Sequence, residues 1–162
     1  MKKLLLIFVL VLCLGGCGVV DTFETLGELV FPDTPAEHRN LSFSVPKGAS
    51  APVIQGEKGQ LYVCDGYELW VQTLPGGDMA RTVKAVSGFA PEDLTVLEQE
   101  AEGIRRLDFA WTAAGEQGAR IGRAAVLDDG NYHYVLTAMC DALDAGELRG
   151  AWDTAFQSLS LD

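Results

Sequence analysis

The fold is decided by residues 119–140, which read ARIGRAAVLDDGNYHYVLTAMC. Two apolar, β-rich runs flank the polar stretch DDGN, and Asp-Gly between such runs is typical of a β-hairpin. With Asp129 and Gly130 as a two-residue loop, we expect Leu127 opposite Tyr132 and Ala125 opposite a second tyrosine, Tyr134. The stretch therefore predicts two antiparallel strands.

Further strands are expected on both sides of this hairpin. Apolar or alternating runs predict strands over residues 41–45, 60–64, 67–74, 94–98 and 104–112. Asp65-Gly66 predicts a second hairpin, of the type I′ turn class. A third is expected around Glu102-Gly103. In the run 104–112, Leu107, Phe109 and Trp111 share one face, and the opposite face carries Arg106 and Asp108.

Two helices are predicted. The first covers residues 79–86, with Asp78 as its N-cap and Gly88 as its stop. The second covers residues 145–157 and has one broad apolar face, formed by Leu148, Ala151, Trp152, Ala155, Phe156 and Leu159. Strand hairpins together with two helices indicate the α+β class.

The N-terminus has the pattern of an export signal. Lys2 and Lys3 precede an unbroken apolar run over residues 4–14, which is too short for the roughly 20 residues that a membrane-spanning helix needs. Leu14-Gly15-Gly16-Cys17 follows and resembles the lipobox of bacterial lipoproteins. The resemblance implies cleavage before Cys17 and a diacylglyceryl group on its sulfur. The alternative is an uncleaved anchor helix over residues 4–20.

We therefore expect three regions. Residues 1–16 are the signal peptide. Residues 17–40 hold the lipidated N-terminus, a short amphipathic segment over 19–31 and a linker that begins at Pro32. Residues 41–162 form the folded domain, placed in the cell envelope on the extracytoplasmic face of a bacterial membrane.

The order of elements in 41–162 carries a second resemblance. A strand with Phe43-Ser44-Val45-Pro46 opens the domain, a long hairpin comes late, and an amphipathic helix runs into FQSLSL at 156–161. This arrangement resembles the PsbP-like fold, which is also found in small bacterial lipoproteins of the DcrB-like group. The resemblance implies an antiparallel β-sheet flanked by helices, an α/β/α sandwich. It also implies a non-enzymatic accessory protein of a membrane complex. No photosynthetic role carries over, because the chain has a lipobox and no metal-binding set.

Charge narrows the choice of partner. The 162-residue chain has 23 acidic and 12 basic residues, a net charge of −11. Removing residues 1–16 takes away Lys2 and Lys3, which leaves 10 − 23 = −13. Nucleic acid is excluded as a partner, because phosphate binding needs clustered basic residues. Electrostatic adhesion to anionic lipid is excluded for the same reason, so membrane attachment depends on the lipid.

Four cysteines are present. Cys13 leaves with the signal and Cys17 takes the lipid, so Cys64 and Cys140 remain. Joined, they would form a disulfide of the kind that persists outside the cytoplasm. We favour the alternative in which both are small buried residues in strands.

Few residues offer chemistry. His38 lies in the linker, and His133 is expected to be a half-exposed strand residue rather than a base or a ligand. No metal site, cofactor motif or catalytic motif is found. Turn chemistry explains the acids of DDGN without calcium, and Glu98, Glu100 and Glu102 are best explained as a solvated acidic face.

These observations predict a lipid-anchored, non-enzymatic accessory or binding module that interacts with another envelope protein. The alternative is a small-ligand or cell-wall binding lipoprotein that uses the acidic face or a pocket beside the C-terminal helix. An enzyme would require His133 to meet a carboxylate and a nucleophile in a cleft.

Overall fold

A computed structural model describes residues 37–56, 59–116 and 118–162. The signal peptide, the lipobox and the amphipathic segment 19–31 lie outside the described residues. Among the described helices, none has the length and apolar character needed to cross a membrane.

One antiparallel sheet of seven strands organises the domain. Its order is β2-β3-β4-β8-β7-β6-β5, and every neighbouring pair is antiparallel. These strands are β2 (Ile54–Gly56), β3 (Gly59–Cys64), β4 (Tyr67–Pro75), β5 (Val96–Ala101), β6 (Ile104–Gly115), β7 (Gly118–Asp128) and β8 (Tyr132–Asp141). A separate two-stranded sheet pairs β1 (Leu41–Ser42) with β9 (Ser160–Leu161). The expected strand 41–45 is therefore short, and its partner is the end of the chain.

A helix packs on each face of the large sheet. Helix α1 (Met79–Ser87) begins after the Asp78 cap, whose Oδ1 accepts from the Ala80 N–H at 2.9 Å. It ends at Gly88, which has a φ of +83°. Helix α2 (Ala145–Gln157) has the expected bounds. The α+β class predicted from the sequence is confirmed.

The core has two layers, because alternate side chains of each strand point to opposite faces. On one face, α1 packs on a cluster formed by Leu107, Phe109, Trp111, Ala124, Val126 and Val135. On the other face, Trp152 and Phe156 of α2 pack on a cluster that includes Tyr67, Leu69, Ala125, Leu127, Tyr134 and Leu136. We call these surfaces the α1 face and the α2 face.

The central hairpin forms, but its expected register is wrong by two residues. Leu127 lies opposite Tyr134, and Ala125 lies opposite Leu136. The cause is the turn: Oδ1 of Asp129 accepts hydrogen bonds from the N–H groups of Asn131 at 2.9 Å and Tyr132 at 2.8 Å. These side-chain bonds support a four-residue connection instead of a two-residue loop.

The other two hairpins form at the expected positions. Asp65-Gly66 joins the paired residues Cys64 and Tyr67, but only its glycine has a positive φ, +81°, so the expected type I′ turn is wrong. That geometry occurs at the next hairpin instead, where Glu102 and Gly103 have φ values of +53° and +75°.

Candidate functional site

The segment over residues 37–45, which includes the first strand, is bound to the rest of the domain at several points. The N–H of Arg39 donates to the Tyr134 hydroxyl at 2.9 Å, and its Nη2 donates to the Leu161 carbonyl at 2.9 Å. The N–H of Ser44 donates to the hydroxyl of Ser158 at 2.8 Å. Residues 37–40, expected to be linker, therefore contact the body of the domain.

An open cleft of about 360 Å³ separates this segment from strands β3 and β4. Phe43 and Tyr62 form its aromatic part, with ring centroids 5.8 Å apart and planes at 87°. Amide groups of Asn40 and Gln60 line it as well, and Oε1 of Gln60 accepts from the Tyr62 hydroxyl at 2.8 Å. Arg39 and His38 border it, and among the described residues that line it none is an aspartate or a glutamate.

The hydroxyl of Tyr134 connects Arg39, which borders the cleft, to Asp129 in the central turn. It donates to Oδ2 of Asp129 at 2.9 Å while it accepts from Arg39. Burial and the hydrogen bond to Asp129 raise the pKa of Tyr134 to about 12. Burial opposes ionisation of Asp129, but the N–H groups of Tyr132 and Asn131 and the Tyr134 hydroxyl outweigh it and lower the pKa of Asp129. The pair is therefore a tyrosine that donates and a carboxylate that accepts.

Asp128 and Asp129, the acids of the central turn, stabilise the turn by accepting hydrogen bonds from its main chain. Oδ1 of Asp128 accepts from the Gly130 N–H at 2.8 Å, and Asp129 accepts the bonds given above. Within the described residues, no group of three or more His, Cys, Asp or Glu side chains is placed to hold a metal ion.

His133 is buried, and the expectation of a half-exposed residue is wrong. Only 1% of its surface is exposed, because α1 covers this end of the sheet. Its Nδ1 lies 2.7 Å from the hydroxyl oxygen of Thr82 on α1. Its Nε2 lies 3.9 Å from Oδ1 of Asp128 and has no hydrogen-bond partner among the described residues. Burial lowers the pKa of His133 against the opposing pull of Asp128.

These three residues bring a hydroxyl, an imidazole and a carboxylate together, but not in a cleft. Thr82 is 8% exposed and His133 1% exposed, so a substrate carbonyl does not reach the hydroxyl. A distance of 3.9 Å between Nε2 and the carboxylate is also too long for a hydrogen bond. The arrangement is that of a buried polar contact between α1 and the sheet.

Cys64 and Cys140 are both free. Tyr67 of β4 pairs with Cys64 on one side and with Cys140 on the other. Two strand spacings separate them by about 9–10 Å, which exceeds the limit of about 7 Å between the Cα atoms of a disulfide. Burial raises the pKa of both thiols. The register does not accommodate the disulfide considered from the sequence. Cys140 is a buried strand residue, as the alternative expects, whereas Cys64 is only half-buried.

Sequence reasoning considered Tyr62 and His38 one at a time, but it did not predict the cleft or single out most of the residues that line it. Arg39 and Asn40 belong to the stretch expected to be linker, and Gln60 begins an ordinary strand pattern. Only the alternation that puts Gln60 and Tyr62 on one face of β3 was visible, and it carries no information about the segment that faces them. Cys17, the predicted lipidation site, lies outside the described residues.

Taken together, the fold and the cleft define an α+β domain built on one antiparallel sheet, with a helix on each face and an open cleft beside its first strand. A crystal structure of LpqN, involved in cell envelope biogenesis of Mycobacterium tuberculosis, is similar to this chain with a TM-score of 0.48 and 12% sequence identity. The alignment covers 81% of this chain and 89% of LpqN. No protein-family model and no curated protein sequence matches the chain, so membership of the PsbP-like fold stays a prediction.

Proposed function

We propose that this protein is a bacterial lipoprotein that acts as a non-enzymatic accessory module for another envelope protein. The observation that carries the proposal is the lipobox, Leu14-Gly15-Gly16-Cys17, directly after a positive start and an 11-residue apolar run at positions 4–14. Two acyl chains on Cys17 contribute on the order of 20 kcal/mol of membrane binding. The domain, with the PsbP-like arrangement, then stays at the extracytoplasmic face of the membrane.

The described domain supports a binding role over a catalytic one. His133, within the sheet, is covered by Thr82 and the rest of α1. Asp128 and Asp129 accept hydrogen bonds from main-chain N–H groups of the central turn. The accessible features of the described domain include the cleft beside the first strand, a second open cleft of about 440 Å³ at the ends of β6 and β7, and the edges of the sheet. These features suit recognition, in which an accessory protein holds a second molecule without changing it.

Mass spectrometry of the mature N-terminal peptide tests the anchoring. We expect a peptide that begins at Cys17 and carries a diacylglyceryl group, and a protein that fractionates with membranes. Cys17→Ser abolishes the modification, while the matched control Cys13→Ser keeps it, because Cys13 lies in the segment that is removed. An unmodified native peptide that retains Met1 contradicts the proposal.

The cleft beside the first strand favours a second candidate function, binding of a small ligand or of cell-wall material. Its lining residues belong to the segment 38–45 and to strands β2, β3 and β4 and not to α2, so the expected position beside the C-terminal helix is wrong for this cleft. Its volume of about 360 Å³ lies at the lower end of the range of roughly 300–1,000 Å³ for ligand pockets. Binding of soluble cell-wall fragments to the protein tests this candidate. Binding that is lost in Gln60→Ala and kept in Gln99→Ala, where Gln99 is an exposed residue of β5, would favour it over a protein partner.

A further inference from the structure

The seven-stranded sheet has two edges, β2 and β5, and within the described residues no strand pairs with the outer side of either. An unpaired edge exposes N–H and C=O groups that can pair with another chain, and stable proteins usually block it with charged side chains, proline or a covering segment. The two edges of this sheet differ in that respect.

The β5 edge is blocked by charge. Glu98 and Glu100 lie on the strand, and Glu102 lies in the turn that follows it. Nε of Arg105 on β6 donates to Oε1 of Glu98 at 2.6 Å. A strand that approaches this edge would meet a row of carboxylates.

Strand β2 itself contains no charged residue, and Glu57 and Lys58, which follow it in the sequence, lie outside the described residues. The strand residues Ile54, Gln55 and Gly56 are all exposed. Val53 is 56% exposed, Ile54 53% and the neighbouring Val63 44%. With Val45, they make up four of the seven exposed large hydrophobic residues of the described chain. Apolar surface is therefore concentrated at the unblocked edge.

This apolar surface lies on both faces of the sheet. Ile54 is opposite Leu61, on the α1 face. Gln55 is opposite Gln60, on the other face, which is the face of Tyr62 and the cleft. Val45 and Gly56 line the cleft itself. An added strand would meet apolar contacts on the α1 face and the cleft on the other.

We propose that the β2 edge accepts an extended segment of another protein, which adds a strand to the sheet and places alternate side chains against Ile54 and against the cleft. The inference rests on the proposed function and names the surface through which the accessory role is exercised. The segment has apolar side chains at alternate positions and no net negative charge.

A second copy of this chain fits the edge less well. Each copy without residues 1–16 carries a net charge of 10 − 23 = −13, so two copies repel each other. Strand β2 has three residues, and self-pairing over that length buries little of the roughly 800 Å² per partner found in stable interfaces. A foreign segment that also enters the cleft buries more.

Site-specific photo-crosslinking in the full-length protein, expressed in its native membrane, tests the proposal. The photoreactive amino acid replaces Gln55 on β2 or, as the matched control, Gln99 on β5. We expect an adduct with another protein at position 55 in at least about tenfold greater yield than at position 99, equivalent to about 1.4 kcal/mol. Mass spectrometry of the adduct should locate it in an extended, apolar segment of the partner.

Two substitutions show whether the edge itself is responsible. Ile54→Lys puts a charge on β2 and should lower the yield at position 55 by about tenfold or more. Leu97→Lys does the same on β5, where Leu97 is 63% exposed, and should leave the yield unchanged. Both positions are exposed, so neither substitution is expected to unfold the protein.

The proposal is overturned if the adduct at position 55 contains a second copy of this chain or lipid, if the yields at positions 55 and 99 are equal, if Ile54→Lys has no effect, or if no adduct forms. The result is separable from the anchoring test. Retention of lipid on Cys17 without an adduct refutes only the docking edge, and an adduct on a protein without lipid refutes only the anchor.

Discussion

The imidazole of His133 shows how a single side chain can be misjudged from the sequence. The alternating strand pattern correctly puts His133 on the face opposite Tyr134, but it does not show that α1 covers that face. The 2.7 Å contact with Thr82 comes from a helix more than forty residues earlier in the chain. Burial therefore follows from tertiary packing, which no local pattern records.

Because His133 is buried, the free energy of unfolding should decrease as the pH is lowered. Burial lowers the pKa of His133 from 6.5 in the folded protein, so the unfolded chain binds the proton more readily. The stabilisation is complete above the ordinary pKa and is lost as the pH falls from that value towards the lowered one. Urea unfolding between about pH 5 and 8 should show this slope in the wild type and not in His133→Gln.

The second histidine provides the control. His38 is exposed and lies outside the sheet, so His38→Gln should keep the slope of the wild type. A slope that survives in His133→Gln would show that other groups cause it.

At the level of elements, the sequence correctly predicts the helices and the positions of the hairpins, which are determined by interactions between residues close in the chain. The 3.6-residue spacing of Leu148, Trp152 and Phe156 predicts α2 to the residue, and the caps Asp78 and Gly88 predict α1 within one residue. Both depend on neighbours in the chain, and so do the positions of the three hairpins.

The elements that sequence reasoning missed depend on distant partners. Strand β9 has two residues and exists because Leu161 pairs with Leu41. Strand β2 has three and depends on Gln60 and its neighbours in β3. The cleft is assembled from the first strand region and two later strands, so its composition is visible in the sequence only after the fold is known.

Two glycines in different elements should respond in opposite directions to the same substitution. Gly122 of β7 lies opposite Trp111, and a Cβ there would overlap the indole ring. Because Trp111 is buried beside Phe109, it cannot move away freely, and Gly122→Ala should cost about 1–3 kcal/mol. Gly146 of α2 has open space around its Cβ position, and Gly146→Ala should stabilise by about 0.5–1 kcal/mol.

Urea unfolding at neutral pH measures both free energies. Gly146→Ala is also the control for the substitution chemistry, since the same methyl group is added in each variant. If Gly122→Ala is as stable as the wild type, the indole of Trp111 does not rest on β7 as described.

At the level of the whole molecule, no covalent bond links the two sides of the described domain. Cys64 and Cys140 are free and separated by β4, so stability depends on the two apolar layers on either face of the sheet. The Tm in thermal unfolding should therefore be the same with and without a thiol reductant. A Tm that falls on reduction would show that the two cysteines are bridged in the protein.

The pairing of β1 with β9 has a mechanical consequence. Leu41 lies opposite Leu161, so the two ends of the described domain meet at one place. If the chain is tethered through the residues before 37, any tension between the tether and a bound partner enters the domain there. It is borne first by two residue pairs and by the hydrogen bond from Arg39 to Tyr134. Under such a load these contacts between the two ends of the domain should break before the seven-stranded sheet unfolds. The tether would then become longer while the β2 edge stays folded.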